Sequence, residues 1–465
     1  MKYMIRIFIG ILLFFQGFLG IAQSNLDRYI ELAIQQNIAL DEARLNVDRQ
    51  ETWVSESKAK SIPTLGFQSR YSRAGGGRSF QLAVGDLVNP AYQNLNLINE
   101  INSASLPSYP NLPLYPTIAN EEVDFLRNEE QETKLSLVLP IFNSAIRENR
   151  KLQQTLLEVE NRSFQLKELA LIYEVRRAYY NFLKATKTSE IFDSSIILVK
   201  ENIRTTNSLF RNNRVTQDQL LAAEAQLKSV EYQKAQAKNS ARSGKAYFNY
   251  LLNRSYDSRI DEDELAKTVT ERISIEQAIS IALNNRLEID QAQSSVMIMD
   301  HQISLVKGEF LPKVSVVADY GIQGTKYQFG DDSDFYQGSA VLTWNIFNRS
   351  YQVEKEAIEV EKKQRGIQKK DIEKQISLQV IQAYNTVQTA LENLELVAAE
   401  ESTAAEAFRL VNKKYLLGRA NQVEFTDARV RFTSAQQKRV ITLYDYWITK
   451  AALDTAMGYS RGSNQ

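Results

Sequence analysis

The 465-residue chain has no cysteine, one histidine (His301), five methionines and eight prolines. Without cysteine there is no disulfide, thiolate nucleophile, zinc–thiolate site or acylation at a processed cysteine. One histidine excludes a multi-histidine metal centre, and the five methionines give no sign of a copper-relay lining. Charge of one sign is missing too: 56 basic residues balance 56 acidic ones, and loss of Lys2 and Arg6 with a leader leaves 54 against 56. That balance supplies no basic face for nucleic acid. The sequence holds no Ser-His-Asp set, cofactor fingerprint or metal cluster, so no enzyme activity, cofactor or metal is expected.

Long apolar runs are confined to the start. Residues 1–22 place Lys2 and Arg6 ahead of an apolar stretch from Ile7 to Ile21 and end on the small residues Gly20 and Ala22. These are the three parts of a signal peptide cleaved after Ala22. About 15 apolar residues, interrupted by Gln16, fall short of the ~20 that span a bilayer. No later segment approaches about 18 consecutive apolar residues. The mature chain is therefore either soluble outside the cytoplasm or enters a membrane as strands, because only helices and closed barrels satisfy the backbone in lipid.

What the chain does contain is a duplication. A shift of 249 carries Asp27–Asn37 onto Glu276–Arg286 without a gap, then Ile62-Pro63 onto Leu311-Pro312 and Tyr71 onto Tyr320. Further on the shift is 205: Pro140-Ile-Phe-Asn143 falls on Asn345-Ile-Phe-Asn348, Ala178-Tyr179 on Ala383-Tyr384, and Phe210 on Tyr415. The fall from 249 to 205 leaves the first copy 44 residues longer between its matching blocks. The repeats are read as 23–255 and 256–465, joined by the acidic run Asp261–Glu264, expected to be a solvated linker. The extra residues lie within Ser72–Thr133, with Gly75–Gly77, many asparagines and five of the eight prolines. That composition reads as a long ordered or semi-ordered loop rather than a packed domain; on a membrane-barrel reading of the flanking strands it would be an extracellular insertion, about 72–133.

Proline-free stretches carry apolar residues at alternating four and three spacing, including Leu171, Val175, Ala178 and Phe182 in one copy and Ile376, Val380, Ala383 and Val387 in the other. This is the pattern of coiled-coil packing. A helix over about 144–211 would be on the order of 100 Å long. Each series ends at a turn where Asn213 aligns with Gly418, the two residue types that most readily take a left-handed cap. Four shorter segments alternate with period two, at about 63–72, 133–142, 312–322 and 337–347. Leu65, Phe67, Leu135, Leu137, Val316 and Tyr320 share an apolar phase against polar neighbours. Two amphipathic hairpins over a soluble core and a membrane barrel both fit that pattern. The leader and the strand length favour the barrel. Known membrane barrels need about eight strands or more, so four must be completed by other chains, and three copies supply twelve.

The duplicated order of helix, Pro-led strand, strand, long helix and helix, the Pro-Ile-Phe-Asn and Asn-Ile-Phe-Asn starts of the long helices, and the Tyr415-x-x-Gly418 turn resemble the outer membrane efflux protein family, the TolC-like exit ducts. The resemblance runs from about Leu26 to Met457. It implies a mostly α protein with a membrane β-barrel: a homotrimer whose twelve-stranded barrel in the outer membrane continues into a long periplasmic α-helical barrel. It further implies a periplasmic adaptor protein and a proton-driven or ATP-driven inner-membrane pump as partners. Two features depart from the family: there is no lipoprotein cysteine, and the first-hairpin insertion is long.

On that resemblance Asn213, Arg214, Gly418 and Arg419 fall at adaptor-binding tips, where they equally serve as hairpin caps. Glu401 interrupts the apolar stripe where the other copy has Ile196; with Glu400 and Glu406 it is a candidate pore gate, or else half of a coiled-coil salt bridge. Asp331, Asp332 and Asp334 read as a charged external loop, since the EF-hand glycine and late glutamate are missing. The alternative to a duct is a secreted periplasmic coiled-coil scaffold without a pore.

Overall fold

The computed structural model describes residues 24–105, 113–126, 128–263, 273–325 and 333–459. The leader, Pro107, Pro110, Glu264, Asp331 and Asp332 lie outside these. The first repeat runs α1 (Asn25–Gln36), α2 (Ile38–Ala59), β1 (Thr64–Arg73), β2 (Ser79–Leu82), α3 (Val84–Ser105), β3 (Glu121–Asp124), β4 (Glu129–Phe142), α4 (Ser144–Arg211) and α5 (Gln217–Leu251). The second runs α6 (Ile275–Asn285), α7 (Leu287–Gly308), β5 (Lys313–Gly324), β6 (Asp334–Thr343), α8 (Arg349–Leu416) and α9 (Gln422–Ala456). The sequence offset of 205 is kept residue for residue: α4 and α8 are both 68 residues long, α5 and α9 both 35. Two compact units result. One is helical; the other holds the strands and the insertion.

In the helical unit the four-three stripe is the buried one. Leu171, Val175, Ala178 and Tyr179 of α4 pack with Tyr29 and Ala33 of α1 and with Phe248 and Leu252 at the end of α5. Ile376, Val380 and Val387 of α8 repeat this with Ala278 and Ala282 of α6 and Leu453 of α9. Helix starts are capped locally: Ser274 and Gln277 form a reciprocal capping box at α6, and Asn421 accepts from the Glu424 amide at α9.

The acidic linker is not simply solvated. The Asp263 carboxylate accepts from the free amides of Asn25 and Leu26, both at 2.9 Å, and so caps α1. The Asp261 and Asp263 amides donate to the hydroxyls of Tyr29 and Tyr179. Burial raises the pKa of Tyr179, keeping the hydroxyl protonated, and it donates in turn to the Asp261 carbonyl.

Four of the strands form one antiparallel sheet in the order β1-β4-β5-β6. Two of the four are longer than expected, β4 reaching 14 residues. The fourth ends early, at Thr343 rather than 347. Its partner β5 begins at Lys313, directly after Pro312, which has no amide to extend the ladder. Trp344 leaves the strand and its indole donates to the Phe310 carbonyl at 2.9 Å.

The insertion corrects the loop expectation more sharply. It contains the 22-residue α3 and the small β2-β3 sheet. Asparagine side chains on α3 clasp the extended segment 113–120. Asn89 donates to the Ile118 carbonyl and accepts from its amide, both at 2.8 Å, and Asn96 does the same with Tyr115 at 2.8 and 2.7 Å. The rings of Tyr92 and Tyr115 stack 4.9 Å apart. A Cβ at Gly85 would lie 2.3 Å from the Ile118 carbonyl oxygen, so the close approach requires glycine.

Candidate functional site

Three places carry the functional argument: the sheet faces, the helix-hairpin tips and the acids of α8. Register aligns Phe67, Leu135, Tyr320 and Tyr336 in one row across all four strands, and Leu65, Leu137, Ala318 and Gly338 in the next. Among the described residues nothing covers this face: Phe67 is 72% exposed and Tyr336 87%. Fully burying one large apolar side chain is worth about 1.5–3 kcal/mol, so a whole face left in water is a large penalty that lipid removes. The opposite face is polar. Arg70 pairs with Glu132 at 3.1 Å, and Lys134 bridges Glu132 at 3.0 Å and Asp319 at 3.3 Å. A Cβ at Gly321 would meet the Thr133 carbonyl oxygen at 2.3 Å. Among the described residues the edge strands β1 and β6 are each hydrogen-bonded to one neighbour only.

Both tips close with the same motif. Asn213 (φ 55°) and Gly418 (φ 70°) take the left-handed conformation expected of them. The Arg214 amide donates to the Leu209 carbonyl at 2.9 Å and the Arg419 amide to the Lys414 carbonyl at 2.8 Å, the six-to-one bond of a Schellman cap. The side chains of Arg214 and Arg419 are exposed. Beside them stand Leu416 and Leu417, both over 60% exposed, and Val423. Sequence reasoning missed these apolar neighbours; their signal was two leucines where the buried stripe had already ended at Tyr415. Behind the tips is a buried polar cluster. Tyr415 donates to Gln422 Oε1 at 2.7 Å, its oxygen lies 2.9 Å from Thr206, and Gln422 Nε2 donates to Asn202 Oδ1 at 2.8 Å. It ties α4 to α8 and α9.

The three acids of α8 are not brought together as a free cluster. Glu401 accepts from Arg439 at 2.5 Å and Glu400 from Lys438 at 2.7 Å, both across the α8–α9 hairpin. Glu406 accepts from Arg409 at 2.7 Å on its own helix, and that bond holds its pKa below the usual carboxylate range. No group of metal-ligating side chains occurs among the described residues. Among them, too, no helix is long and apolar enough to cross a membrane.

A duplicated set of long-helix hairpins joined to a four-stranded sheet of this two-faced kind is the fold of an outer-membrane channel protomer. The resemblance drawn from the repeat is borne out: residues 278–459, from within α6 to just past α9, match the outer membrane efflux protein family. The chain is also similar to solved channels. With the CmeC outer membrane channel of Campylobacter jejuni it shares 15% identity at a TM-score of 0.73, covering 95% of this chain and 87% of that one. With the outer membrane protein VceC of Vibrio cholerae the values are 15%, 0.72, 93% and 96%. With the open-state MtrE channel of Neisseria gonorrhoeae they are 16%, 0.71, 94% and 89%. No curated protein matches the sequence.

Proposed function

We propose that the protein is the outer-membrane exit duct of a tripartite efflux or secretion system, a homotrimer that passively conducts solutes delivered by an inner-membrane pump through a periplasmic adaptor. One observation carries this reading: the coherent apolar face that the register builds across four strands, on a sheet whose two outer strands have one neighbour each. Strand β6 runs antiparallel to β1, so three sheets joined β6 to β1 close a twelve-stranded ring without reversing direction. The polar face with Lys134, Glu132 and Asp319 then lines a wet lumen. A secreted coiled-coil scaffold would leave the apolar face without a use.

Within this reading Asn213, Arg214, Gly418 and Arg419 are adaptor contacts, with Leu416, Leu417 and Val423 supplying apolar area beside the arginines. For Glu400, Glu401 and Glu406 the proposal is narrower. Each carboxylate is held by a cation of its own hairpin, so a charged ring at the constriction would consist of ion pairs, and a Glu401→Gln duct should show altered cation selectivity if that ring gates it. The part of the insertion between β1 and β4 is proposed as an ordered external cap. The test of the whole is native mass in mild detergent together with planar-bilayer conductance. A three-chain species with discrete openings is expected; a water-soluble monomer without conductance would refute the duct.

A further inference from the structure

The repeat offset gives every α4–α9 contact a counterpart between α8 and α5. Within the chain, α4 packs against α9: Lys184 bonds Asp445 at 2.8 Å, Ser195 lies 3.5 Å from Thr433, and Arg429 donates to Ser195 at 2.8 Å. Moved along by 205, α4 becomes α8, and α9 becomes α5 of the next chain in a ring. The burial pattern shows which faces are waiting for this. Ser195 and Arg429 are each 2% exposed, whereas Glu400 and Glu224, their equivalents, are exposed. Thr433 is buried and its equivalent Lys228 is open. Ile191 is half-buried; its equivalent Leu396 is 67% exposed. Repeat-equivalent helices of equal length are covered in one pairing and bare in the other.

We propose that these bare faces of α8 and α5 are the two halves of the subunit–subunit seam, and that Glu400 there meets Lys228 and Glu224 of the partner subunit. The proposal rests on the trimeric reading above. Where the internal seam sets a serine between a guanidinium and a threonine, this one sets a carboxylate between an ammonium and a second carboxylate. Glu400 is bound to Lys438 on its own α9, and Lys228 to Glu231 on its own helix at 2.9 Å. Both are exposed pairs of the kind that contribute little and exchange readily, so the new contact needs no buried bond to be broken. The ring then alternates three internal seams, glued by the buried Asn202–Gln422–Tyr415 cluster, with three ionic seams that lack it: the equivalents of Asn202 and Thr206 are Ala407 and Val411.

The cysteine-free chain makes the test direct. Glu400→Cys with Lys228→Cys should give disulfide-linked dimers and trimers under mild oxidation. Ser195→Cys with Thr433→Cys should close within one chain and leave the band monomeric. A protein that has trimer mass yet gives only monomers with the first pair, while the second pair closes, overturns the seam and leaves the duct standing. A protein of monomer mass removes both. Charge exchange checks the contact without cysteine: Lys228→Glu should lower the detergent-resistant trimer fraction several-fold, and adding Glu400→Lys should restore it. Absence of that rescue overturns the Glu400–Lys228 contact.

Discussion

Arg429 and Ser195 meet across the α4–α9 seam with the guanidinium almost wholly buried, one nitrogen 2.8 Å from the serine hydroxyl and the other, Nη2, without an acceptor among the described residues. Burial pushes this guanidinium below its ordinary pKa range. A buried cation with a neutral partner is costly. Ser195→Ala should therefore destabilise by about 1–3 kcal/mol, by stripping a buried donor of its acceptor. Ser195→Asp should raise the unfolding temperature. Thermal melts of the two variants beside the parent decide it.

Gly418 has no heavy atom within 4 Å of where a Cβ would stand, so a substitution there is penalised by its positive φ alone. Gly418→Val should cost about 1–2 kcal/mol at the turn. Combined with Arg419→Glu it should abolish most adaptor capture in pull-downs while trimer mass stays unchanged. Asn213→Gly, which keeps the left-handed cap, should leave capture intact. Equal capture by all three would place the adaptor elsewhere.

Asp454 gives a pH prediction. Burial raises its carboxyl above the ordinary value of 3.8, opposed by the nearby Lys450 and Arg176. The folded chain thus holds this proton more tightly than the unfolded chain. The associated stability is fully present below 3.8 and is lost as pH rises through the raised folded value. At neutral pH the ionised group is a burden. Asp454→Asn should stabilise by about 1 kcal/mol at pH 7, with the advantage shrinking as pH is lowered toward 4. An advantage that does not vary with pH would contradict the cause given.

The clasp in the insertion predicts a change in protease sensitivity. Asn89→Ala with Asn96→Ala removes four hydrogen bonds to the segment 113–120. That segment should become the first cleavage site in limited proteolysis, with the rest of the chain unaffected. Deletion of 78–125, which leaves β1 and β4 whole, should raise single-channel conductance or sensitivity to large antibiotics, and no change in either would reduce the cap to decoration.

The parts legible in advance were those written in short-range period. The bounds of α4 followed from its apolar stripe and the missing prolines, and the caps at Asn213 and Gly418 from residue type. What stayed hidden depends on partners far along the chain. Asn89 and Asn96 read as loop residues because nothing in a local window shows that an extended segment some 20 to 30 positions later will need their amides. Asp263 looked like linker because the amides it caps are 237 and 238 positions away. For Glu401 the coiled-coil salt bridge was one of two readings, and its partner could not be named because Arg439 lies across a hairpin. The end of β6 was set by a proline on its neighbour, not by its own alternation.

In the proposed twelve-stranded ring the edge strands β1 and β6 also decide what a faulty copy does. A chain with a spoiled β6 would still offer a sound β1, and so would be recruited into rings that it then prevents from closing. With half the chains defective and random mixing, about one ring in eight would be whole. A damaged allele expressed beside an intact one would therefore act as a poison, dominant rather than silent, and its strength would count the subunits of the ring without any need to isolate it.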